Sequence, residues 1–424
     1  MKSRKSFNIS RAFNVLTFCM LMLVIASCRK EEFMPVPEGE VVPSDRPIIS
    51  LQEALNASPH TLFKAAWARS TMEAKLKSYG DRTPFTLLVP TDAAFIADGL
   101  TLEVINSMTP ALLDSMLMYH TIASEVNPEE LNGRVDNTIT KSLVPNPALR
   151  VKPLEPGSGL SDPYFYRLYL KVQADGLYVN GKNVGNIAPV LATNGTLWPI
   201  DHVQHKPTKT ILTALKEDGR FGIYLDVMQK CADLYFEITE YNLERPWTPG
   251  LVVDATQGPP YANLNFGSLL APTDQAFHNA GFANADAVMA MNRERTLPYV
   301  DWDNGVVVGL FASDSMLTLH RWSDLIYPMD MYGGAGSANP TIFYSNDLNN
   351  DVLANYFLRA SNSTLGFPAM LMPLEFGKNA DGAVTIKAKG STHPPAVVVD
   401  GDINTIMGPI HAVDHLIPTA DFKF

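Results

Sequence analysis

Apolar residues in the first half of the chain change period in a definite order. From Leu51 through Ala54, Leu55, Leu62, Ala66 and Leu76 they recur at helical spacing and predict helices with one buried face. Phe85 to Val89 then reads as a buried strand, which Pro90 should stop because proline lacks the N–H that a central strand donates. Thr91 or Asp92 is suited to cap a short helix bearing Ala94 and Phe95. Leu113, Met116, Leu117 and His120 fall at i, i+3, i+4 and i+7, so a helical face ends with a histidine on its core side. Leu177 to Val184 alternates and is broken by Asn180-Gly181, a hairpin signal, and Asn194-Gly195 precedes a further strand from Leu197 to Val203. Helices first and strands afterwards predict an α+β fold.

The same pattern then returns. Leu87-Leu88-Val89-Pro90-Thr91-Asp92-Ala93-Ala94-Phe95 is echoed by Leu269-Leu270-Ala271-Pro272-Thr273-Asp274-Gln275-Ala276-Phe277. Asp114-Ser115-Met116-Leu117 with His120 is echoed by Asp314-Ser315-Met316-Leu317 with His320. Gly195 with Ile200-Asp201-His202 is echoed by Gly408 with Val413-Asp414-His415. Three landmarks in matched order mark a tandem duplication of one domain type. The second copy carries about 18 extra residues before its histidine and about 13 after it. Candidate insertions are Trp302-Asp303-Asn304-Gly305 and Tyr332-Gly333-Gly334-Ala335-Gly336-Ser337. Long loops on a rigid scaffold are where binding specificity usually resides.

On these residues the chain resembles the fasciclin domain family. The family's first signature looks like Phe85 to Phe95, its central Tyr-His pair looks like Tyr119-His120, and its terminal signature looks like Asn194 to Pro207. The second copy departs from the pattern: Leu319-His320 stands for Tyr-His, Met407 precedes Gly408 where Asn is usual, and the nearest counterpart of the hairpin Asn-Gly is Lys389-Gly390. The resemblance implies two tandem fasciclin-like domains, each a wedge of strands with packed helices, over residues 48–207 and 208–424. It also implies adhesion or extracellular binding without catalysis and without a cofactor.

The N-terminus supplies an address. Lys2, Arg4, Lys5 and Arg11 precede an apolar stretch from Val15 to Ala26, the layout of a secretory signal and too short for a spanning helix. Val24-Ile25-Ala26-Ser27-Cys28 resembles a bacterial lipobox, which makes residues 1–27 a signal peptide and Cys28 the acylated first residue of the mature chain. Of the three cysteines, Cys19 lies in the signal and Cys28 would carry lipid, so Cys231 has no intramolecular disulfide partner. Arg29-Lys30-Glu31-Glu32 looks like the export signal of Bacteroidetes surface lipoproteins, and Pro35, Pro37 and Pro43 mark residues 28–47 as an extended tether. The expectation is an outer-membrane lipoprotein exposed on the cell surface, held by its lipid anchor and binding an extracellular protein or polysaccharide. The alternative is an accessory subunit of an outer-membrane glycan or nutrient uptake complex.

Charge and motif content narrow the chemistry. The net charge of −11 and the lack of a basic run beyond the N-terminus argue against nucleic acid. No His-Glu-x-x-His, Gly-x-Ser-x-Gly or phosphate-cradling Gly-Lys motif is present, so no catalytic residue is assigned. His202 and His205 would point to opposite faces of a strand and make a poor metal shell, so no metal site is assigned. Candidate binding residues are Tyr119, His120, His320, Trp302 and Tyr332. For the histidines the alternative is a core residue bonded to a backbone carbonyl, because an unpartnered buried ring costs roughly 1–3 kcal/mol. Trp198, Trp247 and Trp322 are further aromatics of interest, since flat rings suit sugar and protein surfaces.

Overall fold

The computed structural model describes residues 49–80, 82–151, 162–241, 262–263, 266–295, 297–322, 326–328, 342–359 and 369–424. The signal segment, Cys28, the tether, Trp247 and Tyr332 lie outside the described residues. In the first copy α1 (Leu51–Ala57) opens with a capping box between Ser50 and Glu53. Helices α2 (Thr61–Arg69) and α3 (Met72–Ser78) lead into β1 (Phe85–Pro90), which is buried along its length. Pro90 is the last strand residue, not the stop before it. It pairs with Ile200, and the Thr91 N–H continues the ladder, 2.8 Å from the Ile200 carbonyl.

Helices α4 (Asp92–Ala97), α5 (Leu102–Ser107) and α6 (Pro110–Tyr119) follow, each capped by a threonine, Thr91, Thr101 or Thr109. Then come β2 (Thr121–Ile122), α7 (Pro128–Asn132), β3 (Thr138–Val151), β4 (Asp162–Gln173), β5 (Gly176–Val179), β6 (Lys182–Asn183), β7 (Val190–Ala192) and β8 (Gly195–Ile200). The sheet runs β6-β5-β4-β3-β2-β1-β8-β7, and its first and last long elements, β1 and β8, are parallel neighbours. Gly195 makes that closure possible: its φ is 149°, and a Cβ there would overlap the Phe85 carbonyl oxygen.

The second copy contains α8 (Ile211–Asp218), α9 (Gly222–Thr239), β9 (Ala262–Asn263), β10 (Ser268–Pro272), α10 (Asp274–Asn279), α11 (Ala285–Glu294), β11 (Tyr299–Asp301), β12 (Val306–Val308), α12 (Ala312–Leu317) and β13 (Arg321–Trp322). Strands β14 (Ile326–Pro328), β15 (Tyr356–Arg359) and β16 (Ala369–Leu371) form a separate three-stranded sheet. Strands β17 (Leu374–Lys378), β18 (Val384–Ala388), β19 (Ala396–Thr405) and β20 (Gly408–Val413) complete the copy. Its sheet order, β13-β10-β20-β19-β18-β17, reproduces the closure, with β10 and β20 parallel. Gly408, at φ 133°, meets the Gly267 carbonyl as Gly195 meets Phe85. The repeated Thr-Asp pair is structural in both copies. Thr91 and Thr273 cap α4 and α10, while Asp92 and Asp274 accept the Leu62 and Ile223 N–H groups near the starts of α2 and α9, at 2.9 and 2.7 Å.

Residues 48–424 form one unit in which the two copies share a junction. Tyr164, Leu168, Leu170, Val179 and Val184 belong to the same apolar cluster as Ile211, Phe221, Met407 and Ile410. Strand β9 adds to the first copy's sheet alongside Leu149 and Arg150 of β3. The Tyr169 and Tyr344 rings lie 5.1 Å apart, and the Arg167 guanidinium sits 4.4 Å from the Phe266 ring centre. Inside this apolar contact lies an ion pair: Lys171 Nζ of β4 is 3.1 Å from Asp347 Oδ1, with the two side chains 8% and 2% exposed. The Asn137 amide donates to the other oxygen of Asp347 and exchanges hydrogen bonds with the Asn346 amide at 3.0 and 3.2 Å. Burial pushes the Asp347 carboxyl up to about 6 against the opposing pull of Lys171.

A buried ion pair adds little over an apolar isostere, but losing one partner strands the other charge. Asp347→Ala should therefore lower stability by about 3–5 kcal/mol in urea denaturation at pH 7.5, while Lys171→Met with Asp347→Leu should recover most of that loss. A single-variant cost below about 1 kcal/mol would show that the junction does not depend on this pair.

Candidate functional site

The motif residues singled out by sequence are interior. Tyr119 closes α6 at 1% exposure, His120 follows it at 1%, and His320 is fully buried. As surfaces open to a ligand these three are corrected: they belong to the core and the junction. His120 Nδ1 donates to the Met116 carbonyl at 2.9 Å, and its Nε2 accepts the Gln204 N–H at 2.9 Å. His320 repeats the arrangement with the Leu270 carbonyl at 2.6 Å and the Ile417 N–H at 2.8 Å. Each ring ties the segment after the closing strand to the middle of its own copy. A ring that donates at one nitrogen and accepts at the other must be neutral. Burial accordingly pushes both imidazoles down to about 4. The Tyr119 hydroxyl meets the Asn180 amide at 3.4 Å and lies beside Asn404 of the second copy, and burial raises its pKa above the usual phenol range.

Trp302 is placed differently. Strands β11 and β12 form an isolated two-stranded hairpin in the registers Tyr299↔Val308, Val300↔Val307 and Asp301↔Val306. The hairpin lies in the span where the second copy has its extra residues before the histidine, and β11 packs on α9. Val307 packs toward the core, whereas Tyr299, Val306 and Val308 on the other face are 57%, 46% and 37% exposed. Trp302, at the tip, is 72% exposed. The Asp301 carboxylate accepts the N–H groups of Asp303 and Asn304 and the Asn304 amide, at 3.1, 3.2 and 2.8 Å. These bonds hold the carboxyl below the usual range, the Asn304 side-chain bond first, and fix the turn beneath the indole. The sequence signal for Trp302 was the insertion. The signal for Tyr299, Val306 and Val308 lies in two β-branched and aromatic runs around Asn304-Gly305.

A polar cleft of about 800 Å³ opens beside the junction, lined by residues of both copies. Its charges are largely spoken for: His205 Nε2 pairs with Asp98 at 2.8 Å, His202 with Asp201, Lys209 with Glu217 at 2.5 Å, and Lys206 bonds Ser115 Oγ at 3.0 Å. His202 and His205 are thus held by different acids. Among the described residues no group of three or more His, Cys, Asp or Glu side chains converges in a way that could hold a metal. Trp198 and Trp322 are buried core residues, at 4% and 0% exposure.

The neutral histidines make stability depend on acid. Their folded pKa values lie below the unfolded value near 6.5, so the unfolded chain binds more protons between pH 6.5 and 4. The histidines' contribution to stability is complete above pH 6.5 and is lost as pH drops toward 4, by about 3 kcal/mol per histidine at the limit. Asp347 works in the opposite sense, since its carboxyl is raised to about 6 and favours folding as pH falls from 6 toward 3.8. The histidine contribution is therefore read by difference: His120→Gln with His320→Gln should flatten the pH dependence of the urea midpoint relative to wild type. An unchanged slope would refute the neutral-ring assignment.

The family model of the fasciclin domain matches residues 58–204. No curated protein matches the chain. Among solved structures the chain is similar to the FAS1 domain pair of the insect cell adhesion molecule Fasciclin I, at 16% identity over 85% of this chain and 97% of that chain, with a TM-score of 0.29. The family match lies on the first copy, and the second reproduces that copy's parallel closure and its Thr-Asp caps. The fold is α+β, with two tandem fasciclin-like domains.

Proposed function

We propose that this chain is a non-enzymatic adhesion or extracellular binding protein, held at the outer-membrane surface by lipid on Cys28, and that it engages its protein or polysaccharide partner through the β11–β12 hairpin. The observation that carries this reading is Trp302, a large ring 72% exposed on a turn fixed by Asp301. An aromatic presented rigidly loses little conformational entropy on binding, and such rings dominate interface energetics. The fasciclin match over residues 58–204 favours adhesion over catalysis. The address rests on the lipobox-like Cys28 and on Lys30-Glu31-Glu32.

Binding partners are to be sought by pulldown from surface extracts and on a glycan array. Trp302→Ala should weaken the recovered interaction at least tenfold with thermal unfolding unchanged, and Tyr299→Ala should weaken it less. If both variants bind as wild type does, the hairpin is not the contact; blank arrays and pulldowns with wild type would count against adhesion altogether. A transporter that co-purifies in mild detergent would favour the uptake-complex alternative. For the address, protease added to intact cells should digest the wild type and spare a Lys30→Ala, Glu31→Ala, Glu32→Ala variant. Protection of both would place the domains in the periplasm.

A further inference from the structure

The chain contains four Asn-Gly pairs, Asn132-Gly133, Asn180-Gly181, Asn194-Gly195 and Asn304-Gly305. Such a pair is chemically exposed, because a glycine N–H, with no side chain beside it, can reach the carbonyl carbon of the preceding Asn side chain. The fold restrains three of the four. The Gly133 N–H closes α7 on the Glu129 carbonyl at 3.3 Å, so its nitrogen is committed. Asn180 is buried, its side-chain oxygen accepts the Tyr169 N–H at 3.0 Å, and Gly181 abuts the Asp402 carboxyl. Asn194 accepts the Leu51 N–H at 2.8 Å, and Gly195 is fixed in β8 between Phe85 of β1 and Ala192 of β7. Asn304-Gly305 is placed otherwise. Both residues are exposed in the turn between β11 and β12, Gly305 has φ 64°, and nothing lies within 4 Å of the place a Cβ on it would take. The Asn304 side chain is held by its amide bond to Asp301 at 2.8 Å, and a hydrogen bond at an exposed position competes with water and restrains little.

We propose that Asn304 is a site of spontaneous covalent modification, its side-chain amide being lost to the Gly305 nitrogen, and that this conversion releases the turn beneath Trp302. The bond formed is Gly305 N to Asn304 Cγ, and the bond broken is Asn304 Cγ to Nδ2. The amide nitrogen leaves as ammonia with the proton that Gly305 gives up, and a five-membered imide ring remains. Water then opens the ring: cleavage at Cγ gives aspartate, and cleavage at the backbone carbonyl gives isoaspartate. No oxidant or reductant enters. Either product puts a new carboxylate into a turn that already holds Asp301 and Asp303, and the donor to Asp301 is gone. A bond becomes a repulsion between like charges. Isoaspartate also lengthens the backbone, which breaks the spacing that lets Asp301 accept the Asp303 and Asn304 N–H groups. The inference rests on the turn itself and holds whether or not the hairpin is the adhesive contact.

The test follows the full chain carrying Cys28→Ser at pH 8, sampled over time, digested and mapped by mass spectrometry for acid and isoaspartate at each Asn-Gly pair. Asn304 should convert about tenfold faster than any of the other three, since those must first open against the structure that holds them. In urea all four should converge, because each Asn is followed by glycine and the fold no longer intervenes. The Trp302 indole N–H signal, identified by its loss in Trp302→Phe, should move as conversion proceeds and be displaced in Asn304→Asp, while in Asn304→Gln it should not drift over the same time. Conversion of Asn304 no faster than that of Asn132, Asn180 or Asn194 in the folded chain, a ranking that persists in urea, or an indole signal unmoved in both the converted chain and Asn304→Asp would each overturn the proposal.

Discussion

A lysine and an aspartate buried between the two copies set the terms for the molecule. Lys171 and Asp347 leave water together, and each is tolerable only while the other is present. Apolar contact would hold the copies together in many orientations, because burial of hydrocarbon has no direction. The ion pair, with the reciprocal Asn137 and Asn346 amides, has direction. In the same junction Tyr169 meets Tyr344 and the Asn180-Gly181 turn reaches the Asp402 carboxyl. Two beads on a string would sample many relative geometries, whereas this junction presents the exposed features of both copies on one body.

The motifs that announce the duplication serve folding. Thr91 and Asp92 cap helices, Gly195 lets β1 and β8 approach, and His120 ties down the chain beyond β8. Their equivalents Thr273, Asp274, Gly408 and His320 do the same in the second copy. Both ring nitrogens of His120 and of His320 are committed to such bonds, which leaves neither ring a free donor or acceptor for a ligand. On the proposed reading, recognition falls to what is not repeated, the β11–β12 hairpin of the second copy.

What could be read from sequence follows from range. The helical face of Leu113, Met116 and Leu117, the strand from Phe85 and the hairpin at Asn180-Gly181, whose φ values are 51° and 81°, are local patterns and stand in the structure as read. The insertion at Trp302 was legible because the first copy supplies the reference length. Burial of Tyr119 was not, since it depends on Asn180 and on a second copy closing over the ring. Lys171 and Asp347 gave no signal at all: the contact joins different copies, and a lone lysine in a strand or aspartate in a turn ordinarily reads as solvated.

The departures of the second copy from the first fall at positions that, in the first copy, meet the junction. Tyr119 needs a hydroxyl because it lies at the junction, beside Asn180 and Asn404. Its counterpart Leu319 packs instead in a separate apolar cluster with Trp322 and Phe343. The hairpin turn shows the same asymmetry. A Cβ on Gly181 would overlap the Asp402 carboxyl, so a bare backbone is required where the second copy docks. Gly390, the nearest counterpart, looks onto open space, and the constraint on its neighbours lapses. Positions that meet the junction in the first copy differ in the second, while those that close each copy on itself, Gly195 and Gly408 or His120 and His320, are kept in both.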